Sequence, residues 1–112
     1  MSATMAVRLS PAEAHAVAAL LNYQEGAVVS RMLLKHAAGS VTLFAFDEGQ
    51  GLSEHTSPFD ALVLLVEGAA EIRVSGKPIQ AKAGDLVLMP ANAPHGLQAT
   101  TRFKMMLTMM RS

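Results

Sequence analysis

Cysteine is absent from this 112-residue chain. That excludes disulfides, thiolate metal sites and cysteine nucleophiles. Charge of one sign is also missing. Nine lysines and arginines balance nine aspartates and glutamates, for a formal net charge of zero. With no basic surplus to neutralise phosphates, nucleic acid is not an expected partner. Neither a polybasic run nor an acidic tail is present. No apolar run approaches the ~20 residues that a membrane helix needs, so no membrane partner is expected. The first residues, Met1 to Arg8, are too short and polar for the apolar region of a secretion signal. A soluble cytoplasmic protein is the default expectation.

What the chain does have is apolar content, 51% of its residues. At this length it suits one domain with a single core. Ser10-Pro11-Ala12-Glu13 has the composition of a helix start, with a serine cap, proline at the first helical position and a capping-box glutamate. Ala, Val and Leu residues from Ala12 to Leu21 support one short helix, and Asn22 to Gly26 end it. Residues 1–25 are therefore expected to form an N-terminal helical segment and residues 26–112 the main domain. His15 falls on the helix as a surface or packing residue.

After Gly26 the pattern changes to period two. Expected strands run over 27–36, 41–47, 52–55, 61–67, 69–75, 79–82, 85–90, 95–100 and 102–110. Evenly spaced short strands with Gly-rich turns indicate an all-β sandwich or barrel. Two strands break the alternation: Leu62-Val63-Leu64-Leu65-Val66 and Leu86-Val87-Leu88-Met89 are apolar on both faces. Something is expected to cover their outer side: a second layer, the N-terminal helix or another subunit. A homodimer is the economical answer. The methionine-rich end, Met105 to Met110, adds adaptable apolar surface of the same kind.

Two histidines stand out. His55 sits within Gly49 to Gly68, at the mouth of the apolar strand, and His95 sits in Pro90-Ala91-Asn92-Ala93-Pro94-His95. Taken singly, each is better read as a satisfied core histidine or a polar pocket residue than as a catalytic or metal-binding one. Their spacing resembles that of the cupin superfamily, the double-stranded β-helix or jelly-roll barrel of the RmlC-like type. Gly49, five residues, His55-Thr56-Ser57, three residues, Ala61, six residues and Gly68 keep the frame of that family's first motif. Gly84, five residues, Pro90-Ala91-Asn92, two residues, His95, three residues and Ala99 keep the frame of its second. The resemblance implies an all-β cupin barrel over residues 26–112 behind the short N-terminal helix.

In metal-binding cupins the ligands are two histidines and a glutamate from the first motif and a histidine from the second. His55 and His95 match two of these positions, while Ser57 and Ala61 occupy the other two. The candidate cofactor is a divalent ion (Fe, Mn, Ni or Zn) held weakly by His55 and His95, since such sites need three or four protein donors. Asp60 is the nearest acid. Strict alternation turns it away from Ala61, unless a bulge at Pro58 re-aims it. Ser57 is a further candidate, through a metal-bound water. Without metal, His55 and Asp60 are candidate catalytic residues as an imidazole–carboxylate dyad for general-base chemistry. Tyr23, the only tyrosine, lies by the N-terminal helix and offers no acid partner. Gln98 and His36 are remote in the pattern.

By the same pleat, Ala61, Val63, Val87, Met89 and Leu97 are expected to line a pocket with the two histidines, with Phe59 on the rim. Such a lining is apolar with a few polar groups at one end, the usual form of a small-molecule site. It contains no cation, so neutral or aromatic ligands are favoured over phosphorylated or strongly acidic ones. The leading reading is a cupin-type protein that binds a small molecule. A metal-dependent oxygenase or isomerase is one alternative, and a ligand-sensing domain acting through a partner is another.

Overall fold

The computed structural model describes residues 2–5 and 8–111. Ten strands form: β1 (Ser2–Met5), β2 (Val28–His36), β3 (Gly39–Phe46), β4 (Gly51–His55), β5 (Asp60–Glu67), β6 (Ala69–Val74), β7 (Lys77–Lys82), β8 (Leu86–Met89), β9 (His95–Ala99) and β10 (Phe103–Met110). They assemble as a six-stranded sheet, β1-β2-β3-β10-β5-β8, and a four-stranded sheet, β4-β9-β6-β7. Every pairing is antiparallel except β1 with β2. All nine strands expected from the period-two pattern are present, within two residues at either end. Pro78, which cannot donate to a ladder, lies in the edge strand β7. No helix among the described residues is long and apolar enough to cross a membrane.

The two sheets close on a core of Phe46, Val63, Leu65, Ile72, Phe103 and Met105, all essentially solvent-free. Phe46 and Phe103 stack with centroids 4.4 Å apart. Gly68 ends the β5–β6 turn at φ +79, and a Cβ there would collide with the Arg102 carbonyl. Only glycine meets both demands.

The N-terminal segment departs from expectation. The helix over Ala12–Leu21 does not form; a 3-10 turn at Val17–Ala19 is all that remains of it. Ala12 takes φ 61, outside helical space. A helix of that length is marginal on its own, and burial decides the outcome. Leu9, Val17, Leu20, Leu21 and Tyr23 lie instead on the outer face of the large sheet, against Val29, Leu33, Leu43 and Ala45. Polar contacts fasten this strap. Leu9 N–H donates to the Leu33 carbonyl (3.1 Å), and Lys104 Nζ donates to the Ala18 carbonyl (2.6 Å). Tyr23 OH donates to Glu67 Oε2 at 2.6 Å. Burial, reinforced by that carboxylate, pushes the Tyr23 phenol above its usual range.

The strap accounts for part of the doubly apolar strands. It covers Val66 and Met106. It leaves Leu62, Leu86 and Leu88 exposed on the outer face of β5 and β8. The methionine-rich end is divided between the layers rather than presented as one surface. Met105 is in the inter-sheet core, Met106 packs under the strap, and Met110 is exposed.

Candidate functional site

One end of the sandwich holds a cavity of about 240 Å³. β4 supplies Leu52 and His55, and β5 supplies Ala61. β8 gives Met89, β9 gives His95, Gly96 and Leu97, and β10 gives Met105, Leu107 and Met109; Ser57 and Phe59 come from the β4–β5 connection. The walls are apolar apart from the two imidazoles and the Ser57 hydroxyl.

Pairing places the histidines. β4 and β9 are antiparallel neighbours, and His55 lies directly opposite His95 in the ladder. Residues so placed project to the same face, and the rings meet edge-to-face with centroids 4.4 Å apart. His55 is exposed at the mouth, while His95 is buried. Each ring is held by the backbone carbonyl two residues before it. His55 Nδ1 lies 2.8 Å from the Ser53 carbonyl, and His95 Nδ1 lies 3.0 Å from the Ala93 carbonyl. A carbonyl only accepts, so the proton of each neutral imidazole is assigned to Nδ1. Nε2 then carries the lone pair on both rings. Two acceptor nitrogens, fixed by backbone, are the polar equipment of the pocket.

The other candidates fall into two groups. Ser57, Phe59, Ala61, Met89 and Leu97 line the cavity with the histidines. Val63, Val87 and Asp60 do not. Val63 is fully buried in the core beneath, and Val87 packs against that core. Asp60 obeys the alternation and turns outward, where its Oδ1 accepts the Ala91 N–H at 2.8 Å. It fastens the β8–β9 turn and forms no dyad with His55, whose Nδ1 is taken by Ser53. Leu52, Gly96, Met105, Leu107 and Met109 were not anticipated as lining. The β10 residues follow from register: Met109 lies opposite Ala61, Leu107 opposite Val63 and Met105 opposite Leu65.

A resident metal does not suit this donor set. Among the described residues no group of three histidines, aspartates or glutamates could hold an ion. Ser57 Oγ accepts the Phe59 N–H at 3.2 Å, a turn contact. Two neutral imidazoles fall short of the three or four donors of catalytic and structural sites.

A second cavity of about 420 Å³ adjoins the first and shares Phe59 and Met109 with it. Its walls include Lys35, His36 and Arg111. The absence of cations expected of the pocket therefore holds for the inner cavity only. His36, remote in the sequence pattern, is brought here by the β2–β3 turn.

Comparison with known proteins agrees with this geometry. The family model for the cupin domain matches residues 42–110. A Streptococcus pyogenes protein of unknown function superposes with a TM-score of 0.90 at 28% identity, over 96% of this chain and 95% of that one. A cupin superfamily protein from Desulfitobacterium hafniense gives 0.87 at 27% identity, over 93% and 95%. A cupin 2 conserved barrel domain protein from Leptotrichia buccalis is 37% identical with a TM-score of 0.81, over 84% of this chain and 46% of that one. No curated protein sequence matches. With a family model spanning more than half of its length and both sheets of the barrel in place, the chain belongs to the cupin family.

Proposed function

We propose that this cupin binds a small, mainly apolar molecule in the inner cavity, with Nε2 of His55 and His95 accepting hydrogen bonds from its hydroxyl or amide. One observation carries this reading: two imidazoles with Nδ1 committed to backbone carbonyls in an otherwise apolar cavity. Polar atoms fixed in number and direction within apolar walls give orientation and specificity. The test is titration with 3-phenylpropanol, observed through the imidazole nitrogens by NMR. Binding is expected to move the Nε2 resonances of both histidines, and His95→Ala is expected to weaken it at least tenfold. Unmoved Nε2 resonances at saturating probe would overturn the reading.

A homodimer is the second element of the proposal. Leu62 lies opposite Leu88, and Leu64 opposite Leu86, in the β5–β8 ladder. Leu86 is 62% exposed and Leu88 57%. A second copy seated on this leucine face would remove it from water and cover the edge strand β8. Light scattering is expected to give a dimer mass for the native chain and a monomer mass for Leu86→Glu/Leu88→Glu.

A further inference from the structure

The two adjoining cavities are chemically opposite, and the boundary between them is specific. The inner one carries no charged side chain, and neither cavity is lined by aspartate or glutamate. The outer one has Lys35, His36 and Arg111 in its walls. Three chain segments converge to place them. His36 pairs with Gly39 across the β2–β3 turn, Gly39 pairs with Met110 at the end of β10, and Arg111 N–H donates to the Ala38 carbonyl at 2.8 Å. The Arg111 guanidinium carbon lies 5.5 Å from the centroid of the Phe59 ring. A guanidinium over a ring face is attracted to it through the ring quadrupole, which holds the cation beside the pocket mouth.

The charge balance of the chain sharpens the point. Four cations have carboxylate partners: Arg73 with Glu71, Lys82 with Asp85, Arg102 with Asp47 and Lys104 with Glu67. Among the described residues no carboxylate lies within ion-pair distance of Lys35 or Arg111. Asp60, the nearest acid in sequence to Phe59, is held at the Ala91 N–H. Two cations with no carboxylate partner among the described residues therefore stand at the doorway of an apolar pocket.

We infer that the ligand is an amphipathic carboxylate. Its mainly apolar body fills the inner cavity past Phe59 and Met109 and presents its hydroxyl or amide to the imidazoles, and its carboxylate reaches Arg111 and Lys35 in the outer one. This rests on the pocket reading above and narrows it to a ligand class. A charge-assisted hydrogen bond at a half-open site is worth about one factor of ten in affinity.

Two probes of one shape separate the claims: 3-(4-hydroxyphenyl)propan-1-ol and 3-(4-hydroxyphenyl)propionate, whose phenol serves the imidazoles and whose chain end meets the outer cavity, each titrated into the full chain by calorimetry. The carboxylate is expected to bind about tenfold tighter at low salt, with the margin shrinking as sodium chloride is raised. In Lys35→Gln/Arg111→Gln the two probes are expected to bind with equal affinity. Equal affinities in the native protein, or a carboxylate preference that survives the double substitution, would overturn the carboxylate assignment and leave the pocket reading standing. Failure of both probes to bind would overturn the pocket reading and this inference with it.

Discussion

Substitution of Ala61 by leucine distinguishes a ligand cavity from a packed core. Ala61 is 3% exposed, and at an ordinary core position replacing the methyl by an isobutyl group forces strain of about 1–3 kcal/mol. Here the side chain faces a cavity of about 240 Å³. Its cross-strand partners, Met89 and Met109, are flexible and adapt to a new neighbour. Three added carbons gain about 2.4 kcal/mol at ~0.8 kcal/mol per buried methylene. Ordering the leucine returns about 0.5–1 kcal/mol of that. The net expectation is stabilisation of roughly 1.5 kcal/mol, or a Tm increase on the order of 6–10 °C for a domain of this size. With no tryptophan and one tyrosine in the chain, far-UV circular dichroism during urea and thermal unfolding is the suitable readout. Loss of 3-phenylpropanol binding is expected in the same variant, because the added carbons occupy the ligand's space. A fall in stability of 1 kcal/mol or more, with probe binding retained, would refute the placement of Ala61 on the cavity wall.

Gly68→Ala is expected to cost more than the ~1–2 kcal/mol of a left-handed alanine. Its Cβ would lie 2.7 Å from the Phe103 Cα, whereas Gly76→Ala, at φ +80 with nothing within 4 Å, is expected to show the backbone cost alone; urea midpoints compare the two. Asp47 accepts the Gly26 N–H and pairs with Arg102, and these hold its carboxyl down at about 2. Its folded value lies below the unfolded ~3.9, so its stabilisation is present above pH 4 and lost as pH falls towards 2. Native protein and Asp47→Asn are expected to differ in urea midpoint at pH 7 and to converge near pH 2. The native chain, with two imidazole donors, is expected to retain well below one equivalent of divalent metal after dialysis. Ser57→His/Ala61→Glu is expected to retain one, measured by elemental analysis.

Local patterning made the strands legible. β3, β5 and β6 alternate or run apolar between glycine turns, and each pair of turns bounds one short element. The motif spacing pointed to one pocket for His55 and His95; that they stand opposite each other in the ladder was not legible in it, since the β4–β9 register shifts between Leu52 and His55. Asn92, in the turn before β9, takes φ 67, a conformation asparagine tolerates. The N-terminal strap was not legible. Ser10, Pro11 and Glu13 are sound capping residues, but capping is worth about 1 kcal/mol. Burying Leu21 and its neighbours against Leu43 and Leu33 outweighs it. The β10 wall of the pocket was hidden for a different reason. Which face of Met105 to Met109 turns inward depends on pairing with β5, forty residues away in the chain, and no local pattern encodes it. The same holds for Arg111, which reaches Phe59 only because the end of β10 meets the β2–β3 turn.

The two missing ligands and the presence of a cavity are one fact rather than two. Ser57, Ala61, His55 and His95 all border the same space, so all four positions of the metal-site frame converge there. Two carry imidazoles; the other two carry among the smallest side chains available. The volume that a second imidazole and a glutamate would fill stands open instead. In metal sites the outer nitrogen of a ligating histidine is commonly bonded to a carbonyl, which orients the ring. The same kind of contact is present here at Ser53 and Ala93, and both rings border the open space. On the proposed reading, this orientation and the open volume suit an organic ligand rather than an ion, with Lys35 and Arg111 outside the frame supplying the charge that would select it.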